Sequence, residues 1–152
     1  MNDDFRDLLA ALLRVSARFL VVGAHAMAVH GVPRANGVLD VWIDSEPANL
    51  DRVWEALLDF GAPLRDGGVS REDLDVAATV VQIGLPPRRI DILNEVSGLV
   101  FDEAWNNRSL HSVGPREVPF LSREDLIRNK KATARPKDAV DLAILEGRED
   151  EA

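Results

Sequence analysis

One stretch near the N-terminus constrains the fold of this chain more than any other. An apolar segment, Phe19 to Val22, ends at Gly23, and a short helix-forming segment over residues 24–30 follows. A loop rich in glycine and proline then leads to a second apolar segment, Val38 to Ile43, which carries Asp40. The order predicts a buried strand, a tight turn, a two-turn helix and a second strand. A glycine turn that opens a helix presents backbone N–H groups to an anion such as phosphate.

The rest of the chain predicts more strands and helices around this unit. The third and fourth strands, over 79–83 and 88–93, are expected to form a hairpin, and short edge strands are expected at 110–113 and 117–120. A first helix is predicted at 5–15, with Asp3 or Asp4 as its cap, and another helix begins at Pro47 and is stopped by Gly61 and Pro63. Three more helices are predicted at 101–107, 122–133 and 136–146. We therefore expect an α/β fold, a mixed sheet of four to six strands flanked by helices with a C-terminal helical pair, in a single domain over 1–152.

Composition excludes several classes of function. The net charge is −8, from 18 basic and 26 acidic residues, so the chain does not bind nucleic acid through bulk charge, although a local basic patch could still do so. The chain has no cysteine, which excludes disulfides, zinc–thiolate sites and a thiol nucleophile. The first residues are acidic, unlike a signal peptide, and the longest apolar run, Phe19 to Val29, is too short to span a membrane. We expect a cytoplasmic protein without a membrane association.

Two aspartates lie within otherwise apolar strands. Asp40 lies between Leu39 and Val41, and Asp91 lies between Ile90 and Ile92. An acid in such a place needs a partner, because burying an unpaired charge is costly. Acids on neighbouring strands can together hold a magnesium ion, whose preferred ligands are oxygens. The alternatives are ordinary ion pairs, of Asp40 with Arg34 and of Asp91 with Arg88 or Arg89.

Three motifs in this order resemble those of the nucleotidyltransferase fold. The first is the Gly23-Ala24 turn followed by Gly31-Val32-Pro33-Arg34-Ala35 and Leu39-Asp40-Val41-Trp42, the second is Arg89-Ile90-Asp91-Ile92-Leu93, and the third runs from Asn129 to Asp141. The last is similar to the closing K…R-x-K-D-x-x-D motif of small bacterial AbiEii-type nucleotidyltransferase proteins, which are often toxin-like. The resemblance covers nearly the whole chain, from about Phe19 to Leu145.

The resemblance implies metal-dependent transfer of a nucleotide from a nucleoside triphosphate to an acceptor such as a tRNA end or a protein side chain. It implies Mg²⁺ on Asp40 and Asp91 as metal-binding catalytic residues, with Lys137 as a third catalytic residue on the triphosphate. The nucleotide-binding residues would be Gly23, Ala24, Arg34, Lys130, Lys137 and Asp141. Two of these assignments have alternatives, since Arg34 also suits Asp40, and Lys137 and Asp141 can pair locally at i and i+4 along one helix face.

The chain departs from the family pattern at one decisive position. The family has an acid two residues before Asp40, and this chain has Val38, which cannot ligate a metal. Two hypotheses follow: an active nucleotidyltransferase, or a degenerate module that keeps the fold and binds a nucleotide without chemistry. A third is a plain interaction module, for example a toxin–antitoxin component. The sequence does not specify the base, the acceptor or the oligomeric state.

Overall fold

The computed structural model describes residues 1–33, 37–62, 64 and 67–151, with side chains as far as 147. The helices are α1 (Asp3–Arg14), α2 (Gly23–Val29), α3 (Pro47–Phe60), α4 (Phe101–Asn106), α5 (Arg123–Thr133) and α6 (Pro136–Glu151), with a 3₁₀ helix at Arg71–Asp75. The strands are β1 (Phe19–Val22), β2 (Val38–Ile43), β3 (Val80–Ile83), β4 (Arg89–Leu93), β5 (Ser109–Val113) and β6 (Arg116–Phe120).

The strands form one six-stranded mixed sheet in the order β3-β4-β2-β1-β6-β5. β1 pairs antiparallel with β2 and parallel with β6, and β2 pairs parallel with β4. β3 and β4 form the expected antiparallel hairpin, and β5 and β6 form a second one. The predicted α/β class, the mixed sheet and the flanking helices are therefore confirmed.

The core explains why the apolar segments adopt these elements. All four residues of β1 are buried, as expected for a central strand covered on both faces. α1 and α3 pack against each other, α1 also contacts β6, and α3 also contacts β2, while α2 contacts β1 and β2. The largest fully buried side chains include Phe5 and Leu8 of α1, Trp42 of β2 and Phe120 of β6. Burial of this apolar surface is the main force that holds the helices on the sheet.

Several predicted element ends differ in the structure. The cap of α1 is Asn2, whose side chain accepts a hydrogen bond from the N–H of Phe5 at 3.0 Å, so the expectation of Asp3 or Asp4 was wrong. Gly61 ends α3, as expected, and the structure shows it in the left-handed conformation, whereas Pro63 lies outside the described residues. α6 continues past the predicted end at residue 146, to Glu151. None of the helices in the described ranges combines the length and apolar character needed to cross a bilayer.

Candidate functional site

Asp40 and Asp91 are direct neighbours in the sheet. β2 and β4 run parallel, with Asp40 opposite Asp91 and Val38 opposite Arg89. Residues that face each other across two strands point to the same side of the sheet, and neighbouring strands lie about 4.8 Å apart. The two aspartates predicted to converge therefore project from the same face.

Gly23 lies against the carboxyl group of Asp40. A Cβ atom on Gly23 would lie 2.2 Å from Oδ2 of Asp40, and the backbone of Gly23 has φ +68°. Both observations require glycine, because a side chain would overlap the carboxylate and favour another backbone conformation. The predicted turn thus brings the start of α2 into contact with the acid of β2.

The environment of Asp40 disfavours its charged form. Burial, together with repulsion from Asp91, raises the pKa of Asp40 to about 6, and the nearby Arg89 partly offsets this effect. In the part of the chain that the structure describes, the Asp40 side chain makes no hydrogen bond or ion pair, and only its backbone pairs, within the sheet. Its expected alternative partner, Arg34, lies outside the described residues.

Asp91 is held by an arginine on its own strand. Nε and Nη2 of Arg89 donate to Oδ1 and Oδ2 of Asp91, each at 2.9 Å. The Asp91 side chain is buried, with 8% of its surface exposed. This bidentate pair is the ion pair with Arg89 that the sequence left as an alternative to metal binding, while Arg88 pairs with Asp4 at 3.3 Å instead.

A cleft of about 1210 Å³ opens between the start of α2, the end of β4 and the two C-terminal helices, and we call it the sheet–helix cleft. Six of the eight residues predicted for the site line it, namely Gly23, Ala24, Asp40, Lys130, Lys137 and Asp141. Asp91 is not among its lining residues. The cleft therefore brings the glycine turn and one acid of the sheet together with the closing motif.

The closing motif is built around a buried carboxylate, that of Asp138. This side chain is fully buried and accepts hydrogen bonds from Thr133 Oγ1 at 2.5 Å, Lys130 Nζ at 3.2 Å, and both the backbone N–H and the guanidinium of Arg135. These hydrogen bonds, first of all that from Arg135, lower the pKa of Asp138 well below its ordinary value. Asp138 thereby fixes the corner at which α5 turns into α6, where Ala134 adopts a left-handed conformation.

Lys130 and Lys137 have different roles at the cleft. The Lys130 ammonium lies 3.2 Å from Asp138 and 3.1 Å from Asp141, and only 13% of the side chain is exposed. Lys137 is exposed, and the described residues include no carboxylate within ion-pair distance of it. The local pair of Lys137 with Asp141, which the sequence allowed as an alternative, is therefore not formed, and Asp141 contacts Lys130 instead.

The side chains at this edge do not fit a catalytic magnesium site. Both oxygens of Asp91 accept hydrogen bonds from Arg89, and Val38 supplies no oxygen. No cluster of three or more His, Cys, Asp or Glu that could hold a metal occurs in the described ranges. Magnesium takes a near-octahedral set of oxygen ligands, usually one or two carboxylates completed by waters and substrate phosphates, so a single free carboxylate is the least that such a site can have. Asp40 alone remains, so the expected Mg²⁺ stays a prediction that this donor set does not favour.

The structural roles of two residues that organise the site were not predicted from the sequence. Asp138 was noted only as part of a motif, although its spacing of three from Arg135 at the start of α6 is typical of a capping carboxylate. From the sequence, Arg88 and Arg89 were given equally as partners of Asp91. Side chains two residues apart share one face of a strand, so Arg89 lies on the same face as Asp91 and Arg88 does not. Both signals were local and readable.

No protein-family model and no curated protein sequence matches this chain. Among solved structures, the chain is similar to a candidate nucleotidyltransferase, TM1012 of Thermotoga maritima, with a TM-score of 0.58 and 14% sequence identity over 97% of this chain and 91% of that chain. At this identity the similarity shows the fold. The chain therefore has a nucleotidyltransferase-like fold, a six-stranded mixed sheet flanked by helices.

Proposed function

We propose that this chain binds a nucleoside triphosphate in the sheet–helix cleft and lacks metal-dependent nucleotidyl transfer. The observation that carries the proposal is the cleft itself, which joins the Gly23 turn and Asp40 to the exposed ammonium of Lys137. Its volume of about 1210 Å³ is ample for a nucleotide, since small-molecule pockets commonly measure about 300–1000 Å³.

The charges of the cleft support a phosphate contact at one place. Among the described residues, three basic and three acidic side chains line it, namely Lys130, Arg135, Lys137, Asp40, Glu95 and Asp141. Lys130 and Arg135 are both held by the buried Asp138. Lys137 is therefore the cation of the cleft best placed to meet a phosphate, with the ammonium acting as a point charge.

A second candidate is an active nucleotidyltransferase, and the adjacency of Asp40 and Asp91 on one face of the sheet favours it. It would use Mg²⁺ and a tRNA or protein acceptor. These features, an AbiEii-type relationship and a toxin–antitoxin role stay predictions. We rank this candidate second because Val38 replaces one acid and Arg89 holds another.

Thermal unfolding with each of the four common nucleoside triphosphates tests the first proposal. A ligand at 100 times its dissociation constant stabilises a protein by about 2.7 kcal/mol, which gives a clear rise in Tm. Lys137→Ala should abolish most of this rise. The matched control is Lys131→Ala, which removes a lysine that pairs with Glu146 at 3.3 Å and does not line the cleft. Equal rises in the two variants, or no rise in the natural protein, would contradict the proposal.

Incubation with labelled nucleoside triphosphates, magnesium and either total RNA or total protein separates the two candidates. We expect no label on any acceptor with the natural protein. Labelling by the natural protein that disappears in Asp40→Asn would establish the transferase and overturn our ranking.

A further inference from the structure

On the face of the sheet that carries the aspartates, the first residues of β2 and β4 form two facing pairs of side chains. Val38 faces Arg89, and Asp40 faces Asp91. Two carboxylates side by side repel each other and need a compensating positive charge. In a metal-dependent transferase of this fold, that positive charge would come from metal ions. In this chain, the side chain of Arg89, which lies opposite Val38, supplies a positive charge beside the two carboxylates.

Arg89 is held firmly in this place. Its guanidinium binds both oxygens of Asp91, which is the geometry in which arginine and a carboxylate pair most strongly. Its backbone N–H donates to the carbonyl of Gly37 at 3.0 Å, which fixes the start of β4 beside the start of β2. Val38 presents no oxygen to compete for the guanidinium. A metal ion at Asp91 would have to displace Arg89 and then lie next to its positive charge.

We propose that Arg89 is the permanent counter-cation of the Asp40–Asp91 pair and excludes divalent metal ions from it. Arg89 is a positioning residue in this role, since it acts through Asp91 and does not line the cleft. Ligand binding in the sheet–helix cleft is then independent of divalent metal. This last consequence rests on the proposed function, whereas the exclusion of metal does not.

Titration with Mn²⁺, followed by the loss of its free-ion electron paramagnetic resonance signal, tests the exclusion without any nucleotide. The natural protein and Val38→Asp should show no saturable Mn²⁺ binding at submillimolar concentrations, because Arg89 pairs with the carboxylates in both. The double variant Val38→Asp/Arg89→Gln should bind Mn²⁺ at least tenfold more tightly than Val38→Asp alone. Adding Asp40→Asn to the double variant should abolish that gain.

Two results would overturn the proposal. One is saturable Mn²⁺ binding by the natural protein that Asp40→Asn removes, and the other is a folded double variant that binds Mn²⁺ no more tightly than Val38→Asp. Circular dichroism checks folding. Should the double variant not fold, Val38→Asp/Arg89→Met takes its place in the same comparison, and a folded variant of this kind without a gain of Mn²⁺ affinity over Val38→Asp would refute the role of Arg89.

The nucleotide arm compares thermal stabilisation by ATP in excess EDTA and in excess magnesium. Equal stabilisation is expected, and a dissociation constant that falls tenfold or more with magnesium would overturn metal independence. Absence of any nucleotide effect would contradict the proposed function alone and leave the Mn²⁺ result to decide the role of Arg89.

Discussion

Gly23 and Asp40 meet so closely that a single methyl group does not fit between them. The position of a Cβ atom on Gly23 lies 2.2 Å from Oδ2 and 2.9 Å from Cγ of Asp40. The first residue of α2 and the acid of β2 are therefore a matched pair, and neither can change in size without affecting the other.

Gly23→Ala should destabilise the protein by about 2–4 kcal/mol, because it combines left-handed backbone strain with a steric overlap. The matched control is Gly114→Ala, at φ +60° with no neighbour within 4 Å of the added Cβ, which isolates the backbone term of about 1 kcal/mol. Urea unfolding measures both. The double variant Gly23→Ala/Asp40→Ala should recover part of the loss. Equal effects of the two single variants would show that the contact with Asp40 is unimportant.

Asp40 makes stability depend on pH with a definite sign. Its pKa in the folded protein, about 6, lies above the ordinary value of 3.8, so the folded state takes up a proton in this window. Stability contributed by this group is present below pH 4 and is lost as the pH rises through 6. Asp40→Asn should therefore raise the free energy of unfolding at pH 7.5 by about 1 kcal/mol and leave it unchanged near pH 4. The expected gain is smaller than the full pKa difference implies, because solvent partly screens the Asp40 carboxylate.

Thermal unfolding of both proteins from pH 4 to 8 measures this difference. The control for the loss of one surface carboxylate is Asp7→Asn, at an exposed position of α1. A gain from Asp40→Asn that grows toward low pH would contradict the assignment.

Asp138 should be the most sensitive acid of the C-terminal helices. Asp138→Asn removes the charge that Lys130 and Arg135 share and leaves their donors without a full acceptor. We expect a marked fall in Tm and faster amide exchange in α6. The control is Asp59→Asn, which breaks an exposed ion pair with Arg14 and should change Tm little. A small effect of Asp138→Asn would mean that the α5–α6 corner does not depend on this carboxylate.

Variants of Lys130 and Lys137 should distinguish a structural lysine from a ligand-binding lysine. Lys130→Met should cost about 2–4 kcal/mol without any ligand, since it strips a partly buried ammonium from two carboxylates. Lys137→Ala should change ligand-free stability by less than about 0.5 kcal/mol, because its side chain is exposed. Chemical denaturation of both variants, with Lys131→Ala beside them, measures the difference. The reverse order of losses would show that Lys137, and not Lys130, has the structural role.

Much of the fold could be predicted because its signals are local. Apolar runs, the glycine turn and the proline that starts α3 predicted the ends of most helices and strands to within a few residues of the observed ends. The adjacency of Asp40 and Asp91 could be expected only through the resemblance, because no local pattern shows that β4 pairs with β2. The partner of Asp91 was readable in principle from strand alternation, since Arg89 shares its face and Arg88 does not.

The contacts of the closing motif were harder to predict. Helical spacing allowed a pair between Lys137 and Asp141, but the observed partner of Asp141 is Lys130, in the preceding helix. That contact depends on the left-handed turn at Ala134, which reverses the chain and brings the two helices side by side. An alanine carries no sequence signal for such a turn, because its favoured conformation is helical.

The parallel pairing of β2 with β4 also ties the assembly of the aspartate pair to the folding of the whole sheet. The two strands are distant in sequence, and closing so long a loop is entropically costly until the surrounding core has formed. We therefore expect the carboxylate pair to form only when β4 pairs with β2, and opening it requires the separation of these two interior strands. A molecule that binds beside Asp40 would consequently slow amide exchange across β1, β2 and β4 together, and the occupancy of the cleft could be read from the global unfolding rate.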